Sequence, residues 1–138
     1  MATHFRMFYF FLLMLLLLCQ CAKETKSTPI ATLTKYIGAI NSRNLVAANS
    51  CFYDSTTAPR ELPDRIVKYE IGHIDTLVAS DLNQYSGFAP PPIVGDVWIS
   101  VGETYEDSSW RNYTYCLRQH DGDWLILYPY SAFGLDNE

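Results

Sequence analysis

The sequence has 138 residues, of which 49% are hydrophobic and 18% are charged, and its formal net charge is −5. A chain of this length and apolar content can bury the core of one domain, which excludes an intrinsically disordered protein and leaves little room for a second domain. The acidic balance and the lack of a basic run exclude nucleic acid as an expected partner, because phosphate would be repelled.

The N-terminal residues have the pattern of an export signal. Arg6 precedes an unbroken apolar run from Met7 to Leu18. Twelve residues are too few for a spanning helix, which needs about 20, but they are typical of the core of a signal peptide. We therefore predict that residues 1–20 are a signal peptide and that the protein is exported.

The segment from Leu16 to Glu24, LLLCQCAKE, resembles the lipobox of bacterial lipoproteins. This resemblance implies that Cys21 is acylated and becomes the mature N-terminus, with residues 21–27 as a polar tether; Cys19 is the alternative site. The expected location is then the cell envelope, where the lipid would anchor the protein to a membrane, either the outer membrane or a periplasmic membrane face. The alternative is an ordinary secretory signal and a soluble secreted protein.

Two helices are predicted after the tether. Thr28 and Pro29 favour a helix start, because the threonine hydroxyl can cap free amides and proline lacks an N–H that would be unpaired at that position. Apolar residues then recur at helical spacing, at Ile30, Leu33, Ile37 and Ile40. A polar break at 41–44 precedes Leu45, Ala48 and Phe52, which indicate a second short helix folded back on the first.

Alternating patterns predict strands in the rest of the chain. Apolar side chains alternate over 67–78, with Gly72 at a break where a bulge would bend the strand, and again over 97–101, 113–117 and 124–128. Asp121 and Gly122 predict a tight hairpin turn. The expected fold is a single α+β domain over residues 28–138, with an N-terminal helical hairpin packed on a curved antiparallel sheet of at least four strands.

The order of these elements resembles the nuclear transport factor 2-like superfamily. The segments that carry the resemblance run from Gly95 to Val101, from Tyr113 to Arg118 and from Asp121 to Ile126. Members of that superfamily curl a sheet around a helix to form a cone with an internal pocket, and they include isomerases, dehydratases and non-catalytic binding domains. The resemblance implies a pocket on the concave face of the sheet but does not choose among these functions.

Aromatic residues are the candidates for lining such a pocket. They lie on the first helix and on the last three strands, at Tyr36, Trp98, Tyr113, Tyr115, Trp124 and Tyr128. Rings with a polar tip are suited to an apolar or sugar-like ligand. The alternative is that these rings are core residues.

His73 and Asp75 are the candidates for catalysis. Two residues apart on a strand, they would leave the same face, where an imidazole beside a carboxylate could act as a general base. The alternative is a polar stripe exposed to solvent.

Cys51 and Cys116 are the thiols of the folded part, and in an oxidising compartment they could form a disulfide; the alternative is two buried free thiols. The cysteines and histidines show no metal-ligand spacing, so neither a metal nor another cofactor is expected.

From these patterns we expect a protein of the cell envelope that binds a small ligand or an envelope partner through its concave sheet, without catalysis. Two alternatives stay open. One is an isomerase or dehydratase with His73 and Asp75 as the base and a tyrosine as the electrophile. The other is a structural domain that forms a homodimer through its sheet.

Overall fold

The computed structural model describes residues 27–85 and 87–131. It contains helices α1 (Pro29–Asn41) and α2 (Leu45–Asn49), a short 3-10 turn (Leu82–Tyr85), and strands β1 (Ile66–Thr76), β2 (Val97–Tyr105), β3 (Trp110–His120) and β4 (Asp123–Ser131). The predicted signal peptide, Cys19 and Cys21 lie outside the described residues. Among the residues described, no helix is long and apolar enough to cross a membrane.

The two helices begin where side chains can cap their free amides. The Thr28 hydroxyl accepts a hydrogen bond from the Ala31 N–H at 3.1 Å, and Pro29 is the first residue of α1. The Asn44 side chain accepts one from the Ala47 N–H at 3.0 Å at the start of α2. The Thr28 cap confirms the predicted start of α1, and the two successive helices confirm the predicted helical N-terminal region.

The four strands form one open, curved antiparallel sheet in the order β1-β2-β3-β4. The register of β1 against β2 shifts between Ile71 and Ile74, so the bulge predicted at Gly72 is present. Asp121 and Gly122 have φ values of 52° and 93° in the turn between β3 and β4, as the hairpin signal predicted. The α+β fold class is therefore confirmed.

The helices cover one face of the sheet, which we call the concave face. The core there consists of apolar residues of α1 packed on alternate residues of the strands, and includes Leu33, Ile37, Ile40, Ile99, Val101, Leu117 and Ile126. Burying these side chains drives the helices onto the sheet, at about 25 cal/mol per Å² of apolar surface removed from water.

The opposite face is covered at one end by the segment 77–96. Leu77 together with the partly buried Leu82, Tyr85 and Phe88 packs there against strand side chains that point away from the helices. The segment is tied down by the buried Asp96 carboxylate, which accepts hydrogen bonds from Arg118 Nε at 2.9 Å and Nη2 at 2.7 Å. Arg118 Nη2 also donates to the Pro91 carbonyl at 3.0 Å.

Side-chain hydrogen bonds hold α1 across the concave face. At its C-terminal end, the Asn41 amide donates to the Ile66 carbonyl and accepts from the Ile66 N–H, both at 2.9 Å. At its N-terminal end, the Thr32 hydroxyl donates to the Trp124 carbonyl at 2.8 Å. Helix α1 is thus fixed to β1 at one end and to β4 at the other, and a space remains between its C-terminal half and the sheet.

Candidate ligand-binding site

A cavity of about 350 Å³ lies on the concave face between α1, the segment 59–63 and strands β2 to β4. It is lined by Tyr36, Ile40, Pro59, Glu61, Leu62, Pro63, Glu103, Tyr105, Tyr113, Tyr115 and Pro129. Four of these residues are tyrosines and two are glutamates. None of the described residues in this lining is Lys, Arg or His.

Glu103 is the central polar residue of this cavity. It follows Val97, Ile99 and Val101 at every second position of β2, so it points to the concave face, and only 1% of its surface is exposed. The Tyr105 hydroxyl donates to its Oε2 and the Tyr115 hydroxyl donates to its Oε1, both at 2.6 Å. A carboxylate has about four acceptor positions, so these two bonds leave it able to interact further.

Opposing effects act on the ionisation of Glu103. Burial raises the pKa of Glu103, because desolvation penalises the charged carboxylate, while the two phenol hydrogen bonds and the charge of Arg111 act in the opposite direction. Burial and the neighbouring Glu103 also raise the pKa of Tyr105 and of Tyr115. Both phenols therefore keep their protons at neutral pH and remain hydrogen-bond donors to the carboxylate.

The tyrosine rings that line the cavity are inclined to one another. The centroids of Tyr36 and Tyr115 are 6.1 Å apart with an interplanar angle of 68°, and Tyr113 lies 6.1 Å from Tyr115 at 43°. The guanidinium of Arg111 lies 5.1 Å from the centroid of the Tyr105 ring. The lining therefore brings a carboxylate, phenol hydroxyls and inclined aromatic rings together.

The six aromatic residues predicted to line a pocket do not lie together. Tyr36, Tyr113 and Tyr115 line the concave cavity. Trp98 and Tyr128 lie on the opposite face. There Tyr85 and Phe88 of the segment 77–96 stack against them, with the ring centroids of Tyr85 and Trp98 4.8 Å apart. Trp124 lines a second cavity.

This second cavity has a volume of about 330 Å³ and lies beside the N-terminal part of α1 and the start of β4. Its lining includes Lys35, Cys51, Asp123 and Trp124. The charged residues there, Lys35 and Asp123, are exposed, and the buried ionisable group of this lining is the Cys51 thiol, so the cavity does not hold a buried carboxyl like that of Glu103. We therefore place the candidate site in the concave cavity.

His73 and Asp75 lie in solvent on the edge strand β1. Their side chains are 80% and 69% exposed, with His73 Nε2 at 3.9 Å from Asp75 Oδ2, and neither residue lines the two cavities described above. The catalytic interpretation requires a closed cavity around this pair. The positions observed are those of the alternative, a polar stripe exposed to solvent.

Cys51 and Cys116 are buried free thiols, as in the second of the two alternatives, and the structure does not contain the possible disulfide. Cys51 belongs to the core under the helices, whereas Cys116 points to the opposite face beside Trp98. The sheet thus separates the two sulfur atoms, and a bond between them would require the backbone to move. Among residues 27–85 and 87–131, no group of three or more His, Cys, Asp or Glu side chains could hold a metal ion.

Glu103 and Tyr105 were not predicted as site residues, although the sequence contains the signal for them. The alternation over Val97, Ile99 and Val101 continues by two more steps to Glu103 and Tyr105. A carboxylate at a core-facing position of a strand is unusual, since charged residues are almost never fully buried unless they are paired. Extending the alternation would have marked this position.

Comparison with protein-family models, with curated proteins and with solved structures found no match. The function of this chain is therefore inferred from the geometry of the concave cavity.

Proposed function

We propose that this domain binds a small organic ligand in the concave cavity, without catalysis, and that it does so in the cell envelope, anchored by acylated Cys21. The observation that carries the proposal is the buried Glu103 carboxylate in the wall of a cavity that four tyrosines also line. Ligand sites are typically apolar and aromatic clefts of about 300–1,000 Å³ with a few convergent polar groups.

The position of Glu103 is costly for folding, which supports a role in binding. Burial of a carboxylate has a desolvation penalty of several kcal/mol, and replacement of buried charges by apolar residues of similar size is often neutral or stabilising. Ionisable groups held in such an environment are concentrated at functional sites. Leucine at position 103 together with phenylalanine at 105 and 115 would fill the same space without buried polar groups, so we infer that the carboxylate is present for a ligand.

The resemblance to the nuclear transport factor 2-like superfamily supports the same location. Members of that superfamily have their pocket inside the cone, between the sheet and the helix that it surrounds. In this chain the cavity lies between α1 and the concave face. We propose membership of that superfamily on this agreement and on the order of the elements.

The envelope location is supported by the apolar run from Met7 to Leu18 and by the lipobox-like segment that ends in Cys21. Mass spectrometry of the mature N-terminus tests this part of the proposal. The expected result is an N-terminal Cys21 with attached acyl chains. An unmodified Cys21, or a chain that begins at Ala22, would contradict the lipid anchor.

A binding screen with a matched pair of variants tests the ligand site. The screen uses thermal unfolding against a panel of small cationic, anionic and neutral organic compounds. Leu62→Trp adds a bulky ring at the cavity wall, whereas Val46→Trp adds the same ring on α2, where the side chain is 81% exposed and lines neither of the two cavities.

The expected result is at least one compound that raises the melting temperature of the wild type and of Val46→Trp but not of Leu62→Trp. Thermal unfolding without any compound checks that both variants are folded. If no compound stabilises the protein, or if Leu62→Trp responds as the wild type does, the cavity is not the ligand site.

A further inference from the structure

We infer that the ligand of the concave cavity carries an alkylated ammonium group, so that the site selects an organic cation over neutral or anionic compounds of the same shape. This inference rests on the proposed function, because it names the class of ligand for that site. It is argued from the charges in the cavity wall, from the orientation of the tyrosine rings and from the hydrogen bonds of Glu103.

The charges that line the cavity have one sign. Glu103 lies in its wall and Glu61 lies at an exposed position of its lining, and no described lining residue is basic. The chain as a whole has a formal net charge of −5. A cation entering this cavity is attracted, whereas an anion would be repelled by two carboxylates in a space partly shielded from water.

The tyrosine rings supply a second attraction for a cation. The faces of aromatic rings carry partial negative charge, and rings inclined to one another can surround an ammonium group. Tyr36 and Tyr113 are inclined to Tyr115 in this way. Arg111, which lies opposite Glu103 on β3 and is not part of the lining, places its guanidinium 5.1 Å from the centroid of the Tyr105 ring, so one tyrosine of the site already interacts with a cation.

The hydrogen bonds of Glu103 favour an alkylated nitrogen over a bare ammonium. Each carboxylate oxygen already accepts a hydrogen bond from a tyrosine hydroxyl at 2.6 Å. About two acceptor positions of the carboxylate remain, so a primary ammonium, with three N–H donors, would keep at least one donor unpaired at Glu103. An alkylated ammonium group needs the charge and the ring faces but few or no acceptors, so it can be held without disturbing the Glu103–tyrosine hydrogen bonds.

Three probes of equal shape and different charge test the inference by isothermal titration calorimetry. They are choline, its neutral isostere with a tert-butyl group in place of the trimethylammonium group, and the anion tert-butylacetate. We expect choline to bind the full-length protein about tenfold more tightly than the neutral isostere, and tert-butylacetate to bind more weakly than both.

Two glutamate substitutions separate the site from the general charge of the protein. Glu103→Gln is expected to remove the preference for choline, while Glu70→Gln, which makes the same change at an exposed position of β1, is expected to keep it. Glu61→Gln offers a third variant at an exposed lining position, where a change of stability is not expected. It should weaken choline binding without changing the affinity for the neutral isostere.

The inference is overturned if the neutral isostere or the anion binds as tightly as choline, or if Glu103→Gln and Glu61→Gln both keep the full preference. If none of the three probes binds and the ligand screen finds a neutral or anionic compound in the cavity, the cation inference fails and the proposed function stands. If that screen also finds no ligand, both are refuted.

Discussion

The effect of Tyr115→Phe on the free energy of unfolding tests the hydrogen bonds that Tyr105 and Tyr115 donate to Glu103. The substitution removes the hydroxyl that donates to Glu103 Oε1 at 2.6 Å and keeps the ring in the core. Both residues are buried, so water does not readily replace the lost donor. The cost of Tyr115→Phe then depends on whether the carboxyl is charged.

The magnitude follows from the kind of hydrogen bond that is lost. Bonds to a charged group contribute about 1.5–3 kcal/mol to stability, and bonds between neutral groups contribute about 0.5–1.5 kcal/mol. We expect Tyr115→Phe to lower the free energy of unfolding by about 2 kcal/mol at the alkaline end of the pH range, above the raised pKa of Glu103, where the carboxyl is ionised. Near pH 4, where the raised pKa keeps Glu103 protonated, the loss should be about 1 kcal/mol.

Urea unfolding followed by tryptophan fluorescence at both pH values measures these losses. Tyr130→Phe is the control, because Tyr130 is 41% exposed and has no hydrogen bond from its hydroxyl among the described residues. The control should change the free energy of unfolding by less than about 0.5 kcal/mol at either pH. Equal losses for Tyr115→Phe at the two pH values would refute the reasoning, since they would mean that Glu103 does not change its charge in the site.

Three further predictions concern Glu103, the Asp96–Arg118 pair and the thiols. Because burial raises the pKa of Glu103 above its value in the unfolded chain, this residue contributes stability at low pH that is lost as the pH rises through the raised pKa. Glu103→Gln lacks this titration, so its free energy of unfolding relative to that of the wild type should increase over that pH interval, by about 1.4 kcal/mol for each unit by which the pKa of Glu103 is raised. Urea unfolding from about pH 4 to about pH 8 measures this difference. A difference that stays constant with pH would contradict the prediction. Arg118→Met should lower the free energy of unfolding by about 3 kcal/mol in chemical unfolding, because it leaves the 1% exposed Asp96 carboxylate without its cation. Adding Asp96→Asn should recover part of this loss. A loss below about 1 kcal/mol for Arg118→Met would contradict the buried pair. Iodoacetamide labelling followed by peptide mass mapping should find Cys51 and Cys116 unmodified in the folded protein, because both are buried and burial raises the pKa of the Cys116 thiol to about 12. Both should be modified after unfolding without reductant. A Cys51–Cys116 crosslink would contradict this prediction.

The sequence is sufficient for most of the fold because local signals and burial agree there. The side chains of Thr28 and Asn44 can accept hydrogen bonds from free amides at a helix start, and both residues are caps in the structure. The hairpin turn requires positive φ values, which Asp121 and Gly122 adopt. Alternation identifies the strands, and short connections make β2, β3 and β4 antiparallel neighbours. These elements follow from nearest neighbours in the chain.

The site was only partly predictable because its members come together through long-range packing. Tyr36 and Tyr115 meet in one cavity, yet Trp98 is directed to the other face by the alternation of β2, where the segment 77–96 covers it. The sequence alone does not show which face of the sheet receives the helices and which receives that segment. Glu103 differs, because the alternation of β2 is sufficient to predict its burial, but its hydrogen bond from Tyr115 depends on the pairing of β2 with β3.

The most direct measurement of the central claim is the carboxyl ¹³C chemical shift of Glu103 followed with pH, in the free protein and with choline. A buried carboxylate in the cation site should titrate above the ordinary range of glutamate in the free protein, and choline should move its titration midpoint to lower pH, since a bound cation stabilises the ionised form. A midpoint in the ordinary range of glutamate that choline leaves unchanged would contradict both the burial of this carboxyl and its role in recognising the ligand.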